Sequence, residues 1–459
     1  GENEWLEHCD ALGNCTEQFF DSACRVIRRI DALGGEEILE YNGGGQRTGV
    51  IDPVGQRIDF AFDSRGQLVG LADALGGEIV NEFGDFGQLI SETERNGVRR
   101  EWTYDDAVRV ETETWTGAGD SGINWSNDAG NFIVGQTWSG ADIDYTYAPN
   151  GKVRRITHTS AVAPDWWLEY DYDANDNVIR VSDSFGGITE YDYDGVNQLV
   201  EIRQFGTDVL PKRVVIDTSN TGQPLEFRRY ASIDDSQPGP VTTFEYGCLS
   251  CPTTLSRIAH RQAGGALIHD LVYQRDALHR ITGLTDADGS HAFVHDGRGW
   301  LIEADHPPGF AAGDQAYQWD GAGNWLSRSG AFGGADTAVL SYQQGLGGHR
   351  LLSDGVHSYQ YDDRGELLEK TGPSGRLAIE RDARGNPIAV TEYDAADQVI
   401  STASYLYSSG QNRVRAERDG VIRHYIFDGP NPIIALDDAG QVVWRQLHGR
   451  AMDRPLAME

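Results

Sequence analysis

Apolar and polar residues alternate over short runs through most of this chain. Ile58, Phe60 and Phe62 share one side of such a run, while Arg57, Asp59 and Ala61 share the other. Arg100-Glu-Trp102-Thr-Tyr104 and Leu168-Glu-Tyr170-Asp-Tyr172 repeat the pattern. A period of two, carried by aromatic and β-branched residues, predicts strands of about six residues. Helix is not expected, because glycines and turn residues interrupt most runs before roughly ten residues accumulate.

The runs are punctuated at a fixed rhythm. Turn glycines fall at Gly13, Gly34, Gly45, Gly55, Gly66, Gly76, Gly87 and Gly97, and Cys24 occupies the one slot where glycine is missing. The steps alternate between 11 and 10 residues, so two steps make a 21-residue repeat. The turns read Asp10-Ala-Leu-Gly13, Asp31-Ala-Leu-Gly34, Asp52-Pro-Val-Gly55 and Asp73-Ala-Leu-Gly76, alternating with Phe62-Asp63-Ser-Arg-Gly66 and its relatives. An Asp carboxylate accepts hydrogen bonds from the backbone two residues on, and Gly supplies positive φ at no steric cost. One turn every 10 or 11 residues predicts an antiparallel meander that grows by one hairpin per repeat. Strand twist must coil such a sheet, and its edges need cover.

The regular parts are about 1–110, 166–205, 257–302 and 351–445; about 111–145, 206–256 and 303–350 break the rhythm. These three stretches are expected to be long hairpins or insertions in one continuous domain spanning 1–459. Any specific binding surface is expected there, and Trp115, Trp125 and Trp138 are candidate sugar-stacking aromatics.

Charge narrows the partners. With 38 Lys and Arg against 71 Asp and Glu, the net charge is −33. Such a field repels nucleic acid and anionic membrane and keeps a large sheet soluble. No window approaches the roughly 20 apolar residues of a membrane span. The chain opens at Gly1-Glu2-Asn3 and is expected to be a fragment of a longer protein.

Candidate chemistry is sparse. Cys248-Leu-Ser-Cys251 has the spacing of half a zinc knuckle or a redox pair, with His8, Cys9 and Cys15 able to complete a metal site if the fold gathers them. Against this stands a local disulfide or buried thiols. Asp120-Ser121-Gly122 has the letters of an aspartic-protease loop but lies amid glycines rather than between apolar strands, and a second aspartate sharing its proton would be needed. Asp171-x-Asp173-x-Asn175 begins like a calcium loop, yet Asp176 stands where glycine is needed and Ser182 cannot supply the bidentate carboxylate. Weak surface binding of Ca²⁺ is the most it suggests. His291 and His295 share a strand face without forming a cluster. No catalytic or cofactor-binding residues are assigned, no cofactor is expected, and the chain is expected not to be an enzyme.

The Tyr/Phe-Asp-x-x-Gly turns, alternating with Asp-Ala-Leu-Gly, resemble the YD repeats of RHS proteins: bacterial polymorphic toxins, wall-associated proteins, Tc toxin C components and teneurins. The segment from Phe427-Asp428-Gly429 through Trp444 to Ala457 is similar to the part preceding the RHS core-associated region. The resemblance implies an all-β spiral sheet forming a hollow shell or barrel-like cocoon. It implies a non-catalytic wall, secreted or on a bacterial cell surface, that encloses or displays a C-terminal toxin and follows an N-terminal delivery domain. The cleaving device and the cargo would both lie beyond Glu459. Asp52-Pro53 matches the family's cleavage string only superficially, since Gly55 keeps the turn rhythm. The alternatives are an extracellular adhesin that binds glycans or a receptor, and a self-assembling surface or filament protein.

Overall fold

In a computed structural model, residues 4–73, 77–116, 121–138, 141–247, 253–311, 313–332, 335–342, 349–448 and 455–458 are described. They form 42 strands and no helix. Each strand pairs antiparallel with its sequence neighbours, 30 in a first sheet and 12 in a second. The two sheets meet in what is effectively one strand. Ala335–Val339 pairs with Trp325–Phe332, and after Leu340 its continuation Ser341–Tyr342 pairs with Leu351–Ser353.

The repeat motif explains its own geometry. In the 31–35 turn, Asp31 Oδ1 accepts the N–H groups of Leu33 and Gly35, both at 2.8 Å, while Gly34 N–H reaches the Asp31 carbonyl at 3.0 Å. Gly34 has φ 85°, which only glycine adopts without strain. A register shift accompanies such turns, as between Glu40 and Tyr41 beside the Gly45 turn. This is a tight turn closed by a glycine bulge, whose twist matches that of the strands. Glycines 13, 45, 55, 66, 87 and 97 share the conformation, and Cys24 adopts it too at φ 58°. Gly76 lies outside the described residues.

The aromatic before the turn Asp or Asn has a separate task. Tyr41, Tyr172 and Tyr193 each donate their hydroxyl to a carbonyl at the start of the neighbouring strand: Val26 at 2.9 Å, Val153 at 2.7 Å and Val178 at 2.9 Å. Trp319 does the same to Leu301 through its indole N–H, at 2.7 Å. Tyr fixes the strand end laterally while Asp closes the turn.

The sheet comes round on itself. Asp31 faces Arg298 at 3.8 Å. Glu94 meets Arg364, Gln136 meets Ser409, Trp138 meets Tyr407 and Asp183 meets Arg445, at sequence separations of 270, 273, 269 and 262. Counting the strand through Leu340 once, the first four of these pairs join turns, or strand residues next to them, 23 strands apart. A spiral of 23 strands at ~4.8 Å spacing has a perimeter of about 110 Å and a breadth of about 35 Å. The odd number matters. It sets the lower turns of the first winding directly against the upper turns of the second, so turn meets turn along the seam.

A single-layer wall should bury little, and this one does. Its accessible surface is 24283 Å², where a compact monomer of 50.5 kDa would show about 17,000 Å². Many apolar side chains are half-buried, and most of the buried ones gather in three small clusters where the two windings touch.

Candidate functional site

The two faces of the wall differ in chemistry. One carries ladders of ion pairs, with Arg57 between Glu40 and Asp59, Arg99 between Glu82 and Glu101, and Arg203 between Glu190, Asp192 and Glu201. These pairs are exposed, so they orient side chains more than they stabilise. The other face carries Phe60, Phe62, Trp102, Tyr104, Tyr170, Tyr172 and Tyr191. Strict alternation in the sequence creates this division, since neighbouring residues must point to opposite faces.

The last strands cover part of the aromatic face. Val421–Asp428, Asn431–Leu436 and Val442–His448 lie across Trp166–Tyr172 and its neighbours, packing Ile426, Ile434 and Leu436 on Leu168, Tyr170 and Val181. Further on, Leu447 and Leu456 pack on Ile202, Val214 and Ile216, and the Leu456 carbonyl accepts Arg229 Nε–H at 2.9 Å. The strand offset falls here from 23 to about 20. A winding that needs fewer strands to come round is tighter, so these strands lie inside the first winding. The aromatic face is therefore the inner one.

Polar groups fix this inner layer. Arg445, 2% exposed, binds Asp183 through both terminal nitrogens, at 2.5 and 3.2 Å, and the Phe185 carbonyl at 3.0 Å. Gly187 makes room: a Cβ there would stand 2.3 Å from Arg445 Nη1. Tyr170 donates to Asp428 at 2.9 Å; burial, and then the Asp428 charge, push its hydroxyl well above the ordinary range. A cavity of about 260 Å³ remains between the layers, lined by Thr189, Tyr191, Gln204, Asn431 and His448 among others. At the seam, burial pushes the Glu94 carboxyl above the usual range against the pull of Arg364.

The sequence candidates fare as follows. Cys9 and Cys15 face each other across the first hairpin and form a disulfide, with Glu7 close by. Their sulfurs are thus committed to each other rather than free as thiolate ligands. Cys248, Cys251 and Asp120 lie outside the described residues. Asp52 closes a turn, accepting Val54 N–H at 3.0 Å and Gln56 N–H at 2.7 Å. Asp173 does likewise for Asn175 and Asn177, and Asp176 takes φ 65°, the conformation a glycine would otherwise supply. The tryptophan expectation is corrected. Trp115 and Trp138 are 6% and 5% exposed, in a cluster with Val98, Ile123, Ala141 and the second winding's Ala383, and Trp125 packs against it. Trp115 and Trp138 close the seam and offer no face to a sugar, while Trp125 is half-buried. The signal was available: these aromatics alternate with polar residues, as core positions of strands do.

A family model described as the RHS repeat matches residues 172–209. This stretch holds Tyr172-Asp173 and Tyr193-Asp194, whose turns and hydroxyl bonds have the geometry described above. Among solved structures, the crystal structure of TcdB2-TccC3 superposes with a TM-score of 0.66 at 14% identity, covering 95% of this chain. Residues 172–209 thus carry an RHS repeat. The Tc holotoxin pore of Photorhabdus luminescens, carrying a TccC3 substitution, gives the RHS chain a TM-score of 0.65 at 13% identity over 95% of its length. TcdB2-TccC3 without its hypervariable C-terminal region gives 0.64 at 13%. At such identity the likeness is one of fold. The RHS chain spans about 28% of the length of the chains it matches. No curated protein matches it in sequence. Its architecture is accordingly an all-β, coiling, open repeat shell.

Proposed function

We propose that this RHS chain is a non-catalytic wall segment of a secreted bacterial protein, and that its inner face encloses or displays an effector carried C-terminally in the same polypeptide. The observation that carries the reading is the inner aromatic face, covered by the final strands over only part of its perimeter. Uncovered, half-buried aromatic surface on a concave wall suits an extended or unfolded polypeptide, which offers apolar side chains and needs no shaped cleft. The final strands already run along that face and lead the chain inward. The large surface supports the same reading, since it reflects a wall and not a packed core. A delivery domain at the N-terminal side completes the proposal. The glycan-adhesin reading loses Trp115 and Trp138, two of its three named aromatics, to the seam.

The test is a pair of fusions. An unstructured, protease-sensitive segment is placed after Glu459 in one and before Gly1 in the other, and its digestion is timed with the wall intact by gel. Slower cleavage at the C-terminal position supports enclosure. Equal rates at both ends would refute it.

A further inference from the structure

The lower rim of the second winding carries a pair of histidines that the wall reading leaves unused. His291 lies on the strand Ser290–His295, and His306 directly follows the strand Leu301–Asp305. The register pairs Ala292 with Asp305, which sets the two imidazoles side by side. Their Nδ1 atoms are 2.6 Å apart. His291, 5% exposed, turns its Nε2 to Asp286 Oδ1 at 3.3 Å. Phe310 stacks on His306 with ring centres 4.5 Å apart and meets His291 edge-on at 5.2 Å. Pro307 abuts Gly289 closely enough that a Cβ there would be 2.8 Å away. The segment 306–311 is thereby held against the hairpin that begins at Asp286.

This arrangement has room for a fixed number of protons. His291 donates from Nε2 to Asp286, which leaves its Nδ1 as an acceptor, and His306 donates from its own Nδ1. His306 Nε2 is then a bare acceptor, buried and without a hydrogen-bond partner among the described residues. With one more proton on the pair, every arrangement that avoids two N–H groups head to head places an N–H on His306 Nε2, where it is buried and has no acceptor among the described residues. Protonation therefore disfavours the packed segment.

We propose that His291 and His306 form an acid-sensitive latch, which holds segment 306–311 on the rim at neutral pH and releases it as the medium acidifies. The charged groups facing the pair come from every element around it: Asp286 from the hairpin turn, Asp305 from the strand end and Asp314, which also accepts the His306 backbone N–H at 2.8 Å. Burial of His306, and then its neighbour His291, hold that ring below the usual histidine range, outweighing Asp314 and Asp305. The sign follows. A histidine whose folded value is depressed stabilises the latched form above about pH 6.5, and that stability is lost as pH falls toward the folded value.

The test is hydrogen exchange of a peptide spanning 304–311 in the whole chain between pH 7.5 and 5, corrected for intrinsic rates. Protection is expected to fall by about tenfold per pH unit below about 6.5, the slope of one proton taken up on opening. In His306→Phe, which keeps the stacking and cannot titrate, protection should be flat. His306→Asn, which keeps a side-chain donor near the Nδ1 position and cannot titrate, gives a second flat line should the first variant fold poorly. A flat wild type, or an equal slope in either folded variant, would overturn the latch.

Discussion

Arg445→Met tests what holds the inner layer. The substitution keeps the length and packing of the stem but removes the guanidinium from a site 2% exposed. Three hydrogen bonds go with it, two to Asp183 and one to the Phe185 carbonyl. Asp183 is left behind with its side chain only 10% exposed. Removing one partner of a buried pair leaves an uncompensated charge, at a cost of about 3–5 kcal/mol. Asp183→Asn is the matching change, because it keeps the oxygen that accepts Phe185 N–H at 2.8 Å and Gly187 N–H at 3.1 Å while removing the charge. The double variant buries no lone charge and should recover about 2 kcal/mol or more of the summed loss. The assay is urea unfolding, with hydrogen exchange of peptides within 426–448 to show where stability is lost. In a repeat wall the loss should stay near the inner layer, with little effect on the first hairpins. Costs that simply add, or Arg445→Met below about 1 kcal/mol, would refute the clamp.

Other outcomes follow from the same geometry. Gly187→Ala should destabilise the inner layer by about 1–3 kcal/mol, because its Cβ would meet Asp183 and Arg445 at 2.2 and 2.3 Å, whereas Gly195→Ala, with open space around it, should be nearly silent in the same unfolding curves. Val108, β-branched at φ 61°, and Cys24 at φ 58° occupy glycine slots; Val108→Gly should raise the denaturation midpoint, worth up to about 1 kcal/mol, and more than Cys24→Gly does. Burial would raise Asp354, but the His357 and Val356 N–H groups, Tyr359 and the His357 ring hold it far below the usual range. A depressed carboxylate stabilises above about pH 4 and loses that contribution as pH falls, so the stability gap between wild type and Asp354→Asn should be full at pH 7 and close below pH 4 on thermal melts. A gap independent of pH would contradict the assignment.

Local structure was legible because local residues enforce it. The 10-and-11 rhythm of Asp-x-x-Gly turns marks where the chain reverses, and it identified Cys24 as a residue in a glycine's place. Alternation identified the strands and the two faces. In the irregular stretch 111–145, Trp115 and Trp138 were expected to bind sugars, and they close the seam instead. Their burial depends on Ala383, more than 240 residues away, and no local pattern announces that. The cysteines show the same limit, since the letters could not say whether Cys9 and Cys15 would bind a metal or each other.

By itself, the sequence determined the repeating unit: which residues turn, which pair and which side of the strand each one takes. Tertiary structure alone decided that 23 such strands complete a winding, that turns meet turns along the seam, and that Arg445 finds Asp183 inside the wall. The physical reason is accumulation. Each hairpin adds a small twist and bend that no single residue encodes, and only their sum over some 260 residues brings distant side chains within reach.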